Sequence, residues 1–282
     1  MCYFYGNVSR KRNKRLKNVV IAGMALLLIP IISPASSFFT SCNHAENTIF
    51  QVSTIGALVL GSYDSDYSYR DVMCHGNFGV GTFSNLNGEM IALDNDFYQM
   101  GVKGNLTTVN PSDQAPFAEV IDFQPKFFEN IEDVANYHAL GIALSRYLSN
   151  HNIPYAIRMD GTFKTIKFRN FPAQKKPYPP LSEVVSKQTV VTLHNVQGTL
   201  VGFWFPHYWE GIATPGFHFH FINTAHTIGG HVLEVSVADG RASIEPVQNM
   251  QFYLPNTTSF ETVNTSAANM ASAIAKTEGG HE

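Results

Sequence analysis

Residues 216–222 read Gly-Phe-His-Phe-His-Phe-Ile, and this alternation constrains the chain more than any other stretch. A period of two belongs to a β-strand, whose successive side chains leave opposite faces. Phe217, Phe219 and Phe221 fall on one face, where they can bury into a core, while His218 and His220 share the other. Residues 223–230 carry turn-forming residues at their ends, and His231-Val232-Leu233-Glu234-Val235 resumes the strand pattern. If the two strands pair as a hairpin, His231 comes to lie opposite the His218/His220 face and three imidazoles converge. Three neutral nitrogen ligands with open positions are what a catalytic zinc site requires. Imidazole also suits other divalent metals. The competing reading is three unrelated histidines on a wet sheet face. His226 lies inside the loop and reads as a bystander. His75, His138, His151, His194 and His207 have no partner pattern and read as structural.

A His-x-His strand also suggests a cupin barrel, but that pattern places a glutamate about four residues beyond the second histidine. Here Asn223, Thr224 and Ala225 follow, and the next acid is Glu234, which argues against cupin chemistry.

The 282 residues are 15% charged and 44% hydrophobic, a globular composition that argues against coiled coil or disorder. The N-terminus differs from the rest. Arg10, Lys11, Arg12, Lys14, Arg15 and Lys17 precede an apolar run at 19–32 and a small-residue Ser33-Pro34-Ala35. That order predicts an export signal over residues 1–35, followed by a linker at 36–48. Two variants stay open: an uncleaved anchor, or lipid attachment at Cys42. Removing the six basic residues of the signal leaves 13 Lys+Arg against 22 Asp+Glu, a net charge of −9. Such an acidic body lacks the electrostatic footprint of nucleic-acid binding. The three cysteines, Cys2, Cys42 and Cys74, include no CxxC pair, so no cysteine zinc site is expected. A Cys42–Cys74 disulfide is open.

Most of the remainder is strand-like, predicting an α+β protein of two sheet-rich lobes with mixed or antiparallel sheets and a few helices. In that arrangement the metal site sits on a strand hairpin of the C-terminal lobe. Residues 49–120 alternate in strand fashion, and Asn87-Gly88 between apolar runs predicts a hairpin whose second strand opens on Glu89. The glycines of 76–81 read as strand and bulge glycines, because their order is not that of a dinucleotide loop. A helix is expected over 131–148, with Val134, Tyr137, Gly141, Leu144 and Leu148 as its buried stripe. Strands are expected at 153–167 and 189–205, separated by a proline-rich crossing at 172–180. The crossing suggests a domain boundary near 185, with a mixed-sheet domain at 49–185 and a metal-binding sheet domain at 186–282. A short closing helix is expected within 266–276. The Asn85-to-Tyr98 and Asn195-to-Tyr208 stretches share an offset pattern, which either an internal duplication or two unrelated hairpins would produce.

Four blocks together resemble a known family: Gly76-Asn77-Phe78-Gly79-Val80-Gly81-Thr82-Phe83, Leu86-Asn87-Gly88-Glu89, Pro215-Gly216-Phe217-His218-Phe219-His220-Phe221-Ile222 and Gly229-Gly230-His231-Val232-Leu233. They look like the signature blocks of acetolactate decarboxylases, and the resemblance runs from about residue 49 to the C-terminus. It implies that His218, His220 and His231 hold Zn2+, that Glu89 is an active-site glutamate and Arg169 an active-site arginine, and that Thr82 lines the site. A second glutamate is implied near the C-terminus, with Glu278 the best match and Glu282 open. Arg158 competes with Arg169. A homodimer is implied as well.

The implied reaction removes CO2 from 2-acetolactate to give acetoin. The electron pair left by the departing carboxylate must enter the adjacent ketone, and a zinc ion would act as Lewis acid on the resulting enediolate. Arg169 would hold the substrate carboxylate. Glu89 and Glu278 would form the acid/base pair. The alternatives are an exported metal-dependent hydrolase or dioxygenase, and a non-catalytic zinc-binding protein.

Overall fold

A computed structural model describes residues 45–265 and 270–277. The export signal, Cys42, Glu278 and Glu282 lie outside these residues. Cys74 is disulfide-bonded, and both other cysteines also fall outside. Among the described residues no helix is long and apolar enough to cross a membrane.

Two sheets and the short helices α1 (Ile55–Val59), α2 (Tyr69–Val72), α3 (Tyr137–Ser145), α4 (Leu181–Val184), α5 (Thr258–Thr262) and α6 (Met270–Thr277) make up the fold, as the strand-like sequence predicts. The first sheet contains β1 (Thr48–Val52), β2 (Phe78–Thr82), β3 (Glu89–Leu93), β4 (Asp96–Met100), β5 (Leu106–Thr108), β6 (Phe117–Ile121) and β12 (Asn249–Tyr253). Its order is β12-β1-β6-β2-β3-β4-β5, with β1 parallel to β12 and antiparallel pairing elsewhere. The second sheet is antiparallel, in the order β10-β9-β8-β11-β7. It comprises β7 (Phe127–Val134), β8 (Tyr155–Asn170), β9 (Thr189–Phe205), β10 (Gly216–Asn223) and β11 (Gly229–Pro246). Because β10 also pairs with β11, the strands β8 to β11 close into a ring.

Inside this ring and under α3 (Tyr137–Ser145) sits an aromatic-rich core that includes Phe163, Phe168, Phe219 and Phe221. A second cluster joins the two sheets: Ile49, Phe78, Val80 and Ile91 of the first meet Val201, Phe203, Phe205 and Ile222 of the second. The inner face of the first sheet therefore covers the face of β10 that carries the histidines.

The sheets do not divide at residue 185. β7 and β8 precede that point yet belong to the second sheet, while β12 returns from the C-terminal part to the first. The proline-rich crossing contains a cis Lys176-Pro177 bond and leads into α4 (Leu181–Val184). It connects neighbouring strands β8 and β9 of one sheet, so it is a connection within a sheet and not a boundary between sheets.

The helix expected over 131–148 is only half helical. Residues through Val134 form β7, which pairs along β11 from Ile244↔Phe127 to Val237↔Val134. Asp133 takes a positive φ of 51°, and Asn136 is extended with its side chain capping the amide of Ala139 at 2.9 Å. An extended asparagine that caps N3 starts a helix, and so ends whatever precedes it. The apolar spacing of Val134 and Tyr137 thus spans a strand end and a helix start.

The two similar stretches differ in structure. Residues 84–86 form a 3-10 turn before Gly88, whereas Asn195 and Gly198 lie within the long strand β9. The duplication is not borne out.

Candidate active site

The β10–β11 hairpin forms, with His220 directly opposite His231 in register. Phe219 and Phe221 bury into the ring core behind β10, so His218 and His220 turn toward the first sheet. All three histidines are at most 3% exposed. Their ligand atoms lie within 4.8 Å of one another, which makes them a group able to hold a metal ion. His218 Nε2 and His231 Nδ1 stand 3.1 Å apart. Two nitrogens bound to one tetrahedral zinc at about 2.0–2.1 Å would be separated by roughly 3.3 Å, so this pair already stands near the spacing that a shared ion would impose.

His220 is oriented from across the inter-sheet core. Its Nδ1 lies 2.8 Å from the carbonyl oxygen of Met90 on β3. A ring nitrogen can only donate to a carbonyl, so the proton sits on Nδ1 and the Nε2 lone pair faces the cluster. Met90 follows Glu89, whose Oε2 is 3.9 Å from His220 Nε2. One strand therefore supplies both the orienting carbonyl and the carboxylate beside the histidines.

Glu89 reaches this position through the turn before it. Gly88 has φ +83°, and a Cβ there would come within 2.2 Å of the Met100 carbonyl oxygen, so the turn requires glycine. Thr82, paired with Glu89 across β2 and β3, donates its hydroxyl to the Gly88 carbonyl at 2.7 Å. The Thr82 carbonyl in turn accepts from Tyr69 Oη at 2.7 Å.

Arg169 lies on β8 directly opposite His231, 2% exposed, with its guanidinium carbon 4.7 Å from the centroid of the Phe171 ring. Arg158 is elsewhere, holding Asp94 at 2.8 Å and Asp160 at 2.7 Å. The geometry thus brings Arg169 to the histidines and leaves Arg158 in a surface ion-pair cluster.

Burial and charge both keep the imidazoles neutral, the state a metal ligand needs. Burial lowers the His220 pKa to about 3; the Met90 hydrogen bond opposes this and Arg169 adds to it. His218 is held well below the usual histidine range by burial, then by His220 and Arg169. For His231 burial again dominates, followed by Arg169 and the other two rings.

The wall facing His218 and His220 is apolar apart from Thr82 and Glu89, with Ile55, Leu58, Phe117 and Phe171 closing it. These side chains belong to a cluster that also includes Ile274 of α6 (Met270–Thr277), the closing helix expected near the C-terminus. Sequence reasoning did not find the Met90 carbonyl or Asn170. The amide of Asn170 donates to the Gly229 carbonyl at 2.9 Å and holds the chain just before His231. Backbone groups have no sequence signature, and the one signal for Asn170 was its place beside Arg169.

Two sheets that enclose three buried imidazoles able to hold a metal ion, with a carboxylate and an arginine beside them, define the class: a β-sheet protein with a candidate metal site between its sheets. The sequence profile described as alpha-acetolactate decarboxylase matches residues 49–266. The alpha-acetolactate decarboxylase of Bacillus licheniformis is 38% identical over 234 residues, covering 83% of this chain and 92% of that protein. That of Methanosarcina mazei is 41% identical over 213 residues, covering 76% of this chain and 74% of its own. The crystal structure of alpha-acetolactate decarboxylase from Bacillus subtilis superposes with a TM-score of 0.80 at 38% identity, covering 82% of this chain and 99% of that one. The chain belongs to the alpha-acetolactate decarboxylase family.

Proposed function

We propose that this decarboxylase converts 2-acetolactate to acetoin and CO2 through an enediolate, with Zn2+ held by His218, His220 and His231. The observation that carries the proposal is the convergence of the three neutral imidazoles with Glu89 and Arg169 in one buried site. An ion held there would supply Lewis-acid stabilisation of negative charge on the substrate's hydroxyl and keto oxygens.

The chain's own residues account for the remaining steps. Arg169, fixed between β8 packing and the Phe171 ring, offers planar paired donors to the substrate carboxylate. The bond from the carboxylate carbon to C2 breaks, CO2 leaves, and the electron pair moves from C2 into the neighbouring carbonyl. The apolar wall of Ile55, Leu58, Phe117 and Phe171 excludes water, which strengthens every charge interaction at the site. Glu89, in its protonated form, then gives a proton to C2 and regains one from solvent after product leaves. Glu278, outside the described residues, is the proposed second acid, and Thr82 shapes the turn that presents Glu89.

Release of CO2 and acetoin from racemic acetolactate, with and without a chelator, tests the reading. Hydrolysis without CO2 release would overturn it. The proposal includes a homodimer, checked by sedimentation, and export through residues 1–35. A secreted protein retaining its full N-terminal mass would contradict cleavage.

A further inference from the structure

A second cavity lies behind β10, on the side opposite the metal-binding group. It measures ≈ 470 Å³ and is bounded by α3, the end of β9 and the start of β10. That volume is within the range of small-molecule sites, about 300–1,000 Å³. Its floor is aromatic: Trp204 and Phe217, paired across β9 and β10, have ring centroids 6.4 Å apart. His151 meets the Trp204 ring edge-on at 5.5 Å. Gly141 of α3 lies over the Phe217 ring, so that a Cβ there would touch the ring at 3.4 Å.

The rim is basic. His138, Arg146, His151 and His207 line it, all exposed, and among the described residues no carboxylate does. Arg146 is thus a fixed cation ringed by imidazole N–H donors, with no carboxylate among the described lining residues to compete for it. An aromatic floor holds a flat apolar body, and an arginine fork with neighbouring imidazoles holds a planar anion. We propose that this groove is a binding site for a small aromatic monocarboxylate. It is separate from the decarboxylation site, because Phe217 and His218 leave opposite faces of the same strand.

Phenylacetate serves as the probe. The chain has two tryptophans, so Trp209→Phe leaves Trp204 as the sole indole reporter, and calorimetry on the unmodified protein provides an independent readout. The expected result is saturable quenching of Trp204 that survives chelation of the metal. Affinity should drop about tenfold in Arg146→Ala, as loss of a charged hydrogen-bond partner implies. Acetate, lacking the ring, and benzyl alcohol, lacking the charge, should each bind more weakly. Non-saturable quenching with no calorimetric heat would overturn the proposal. So would unchanged affinity in Arg146→Ala, binding that disappears with the metal, or binding seen only when a dimer dissociates.

Discussion

The Nδ1 of His220 donates to the carbonyl of Met90 at 2.8 Å, so a histidine of the second sheet takes its orientation from the first. The adjacent residue, Glu89, places its carboxylate 3.9 Å from the other nitrogen of the same ring. The position of β3 therefore controls both a proposed metal ligand and the proposed acid. Gly88→Ala, which forces a Cβ against the Met100 carbonyl, should displace the start of β3. Groups that orient metal ligands are typically worth about 10–100-fold in affinity or activity. A metal titration combined with turnover should show both falling by that amount; unchanged values would separate β3 from the site.

Glu89→Gln keeps the size of the side chain and removes its ability to cycle a proton. Turnover should fall by about 10²–10⁴-fold, with metal content unchanged. Single-turnover assays that follow CO2 and acetoin separately would locate the loss at protonation. A variant with normal turnover and unchanged acetoin stereochemistry would remove Glu89 from the mechanism.

Arg169→Lys retains the charge and loses the planar donor fork. KM should rise about tenfold or more, whereas Arg158→Ala, whose guanidinium is engaged by Asp94 and Asp160, should leave kinetics near normal. Steady-state kinetics on both variants check the assignment, and a larger defect in Arg158→Ala would reverse it.

The histidines also predict how the metal-free protein responds to pH. Their folded pKa values are lowered, His220 to about 3, from about 6.5 in the unfolded chain. The unfolded state then binds more protons, so stability is greatest above pH ~6.5 and falls as pH drops toward the folded values. Denaturant melts of metal-free protein between pH 7.5 and 4.5, values chosen to span about two units below the free histidine pKa, should show a steady loss. Replacing His220 with Gln should flatten the slope, and an equal slope would show that other groups dominate.

The parts of the site readable from sequence were those encoded over short distances. His218 and His220 follow from strand alternation, and Glu89 from the Asn-Gly turn that starts β3. His231 required one long-range assumption, the hairpin, and the register bears it out. Arg169 came through family resemblance alone; what brings it to His231 is the β8–β11 pairing, which leaves no local trace. The same limit explains the helix misread at 131–134 and the boundary expected near 185. Val134 fits a helical stripe and Ile131 opens the expected helix, yet both pair with β11, more than 100 residues further along the chain.

In the proposed function, His218, His220 and His231 hold a single ion on which decarboxylation depends. Metal content per chain, measured alongside acetoin release before chelation, after it and after zinc is restored, tests this most directly. One ion per chain is expected, with activity lost with the ion and recovered on its return, and neither in His218→Ala. Full activity in metal-free protein would contradict it.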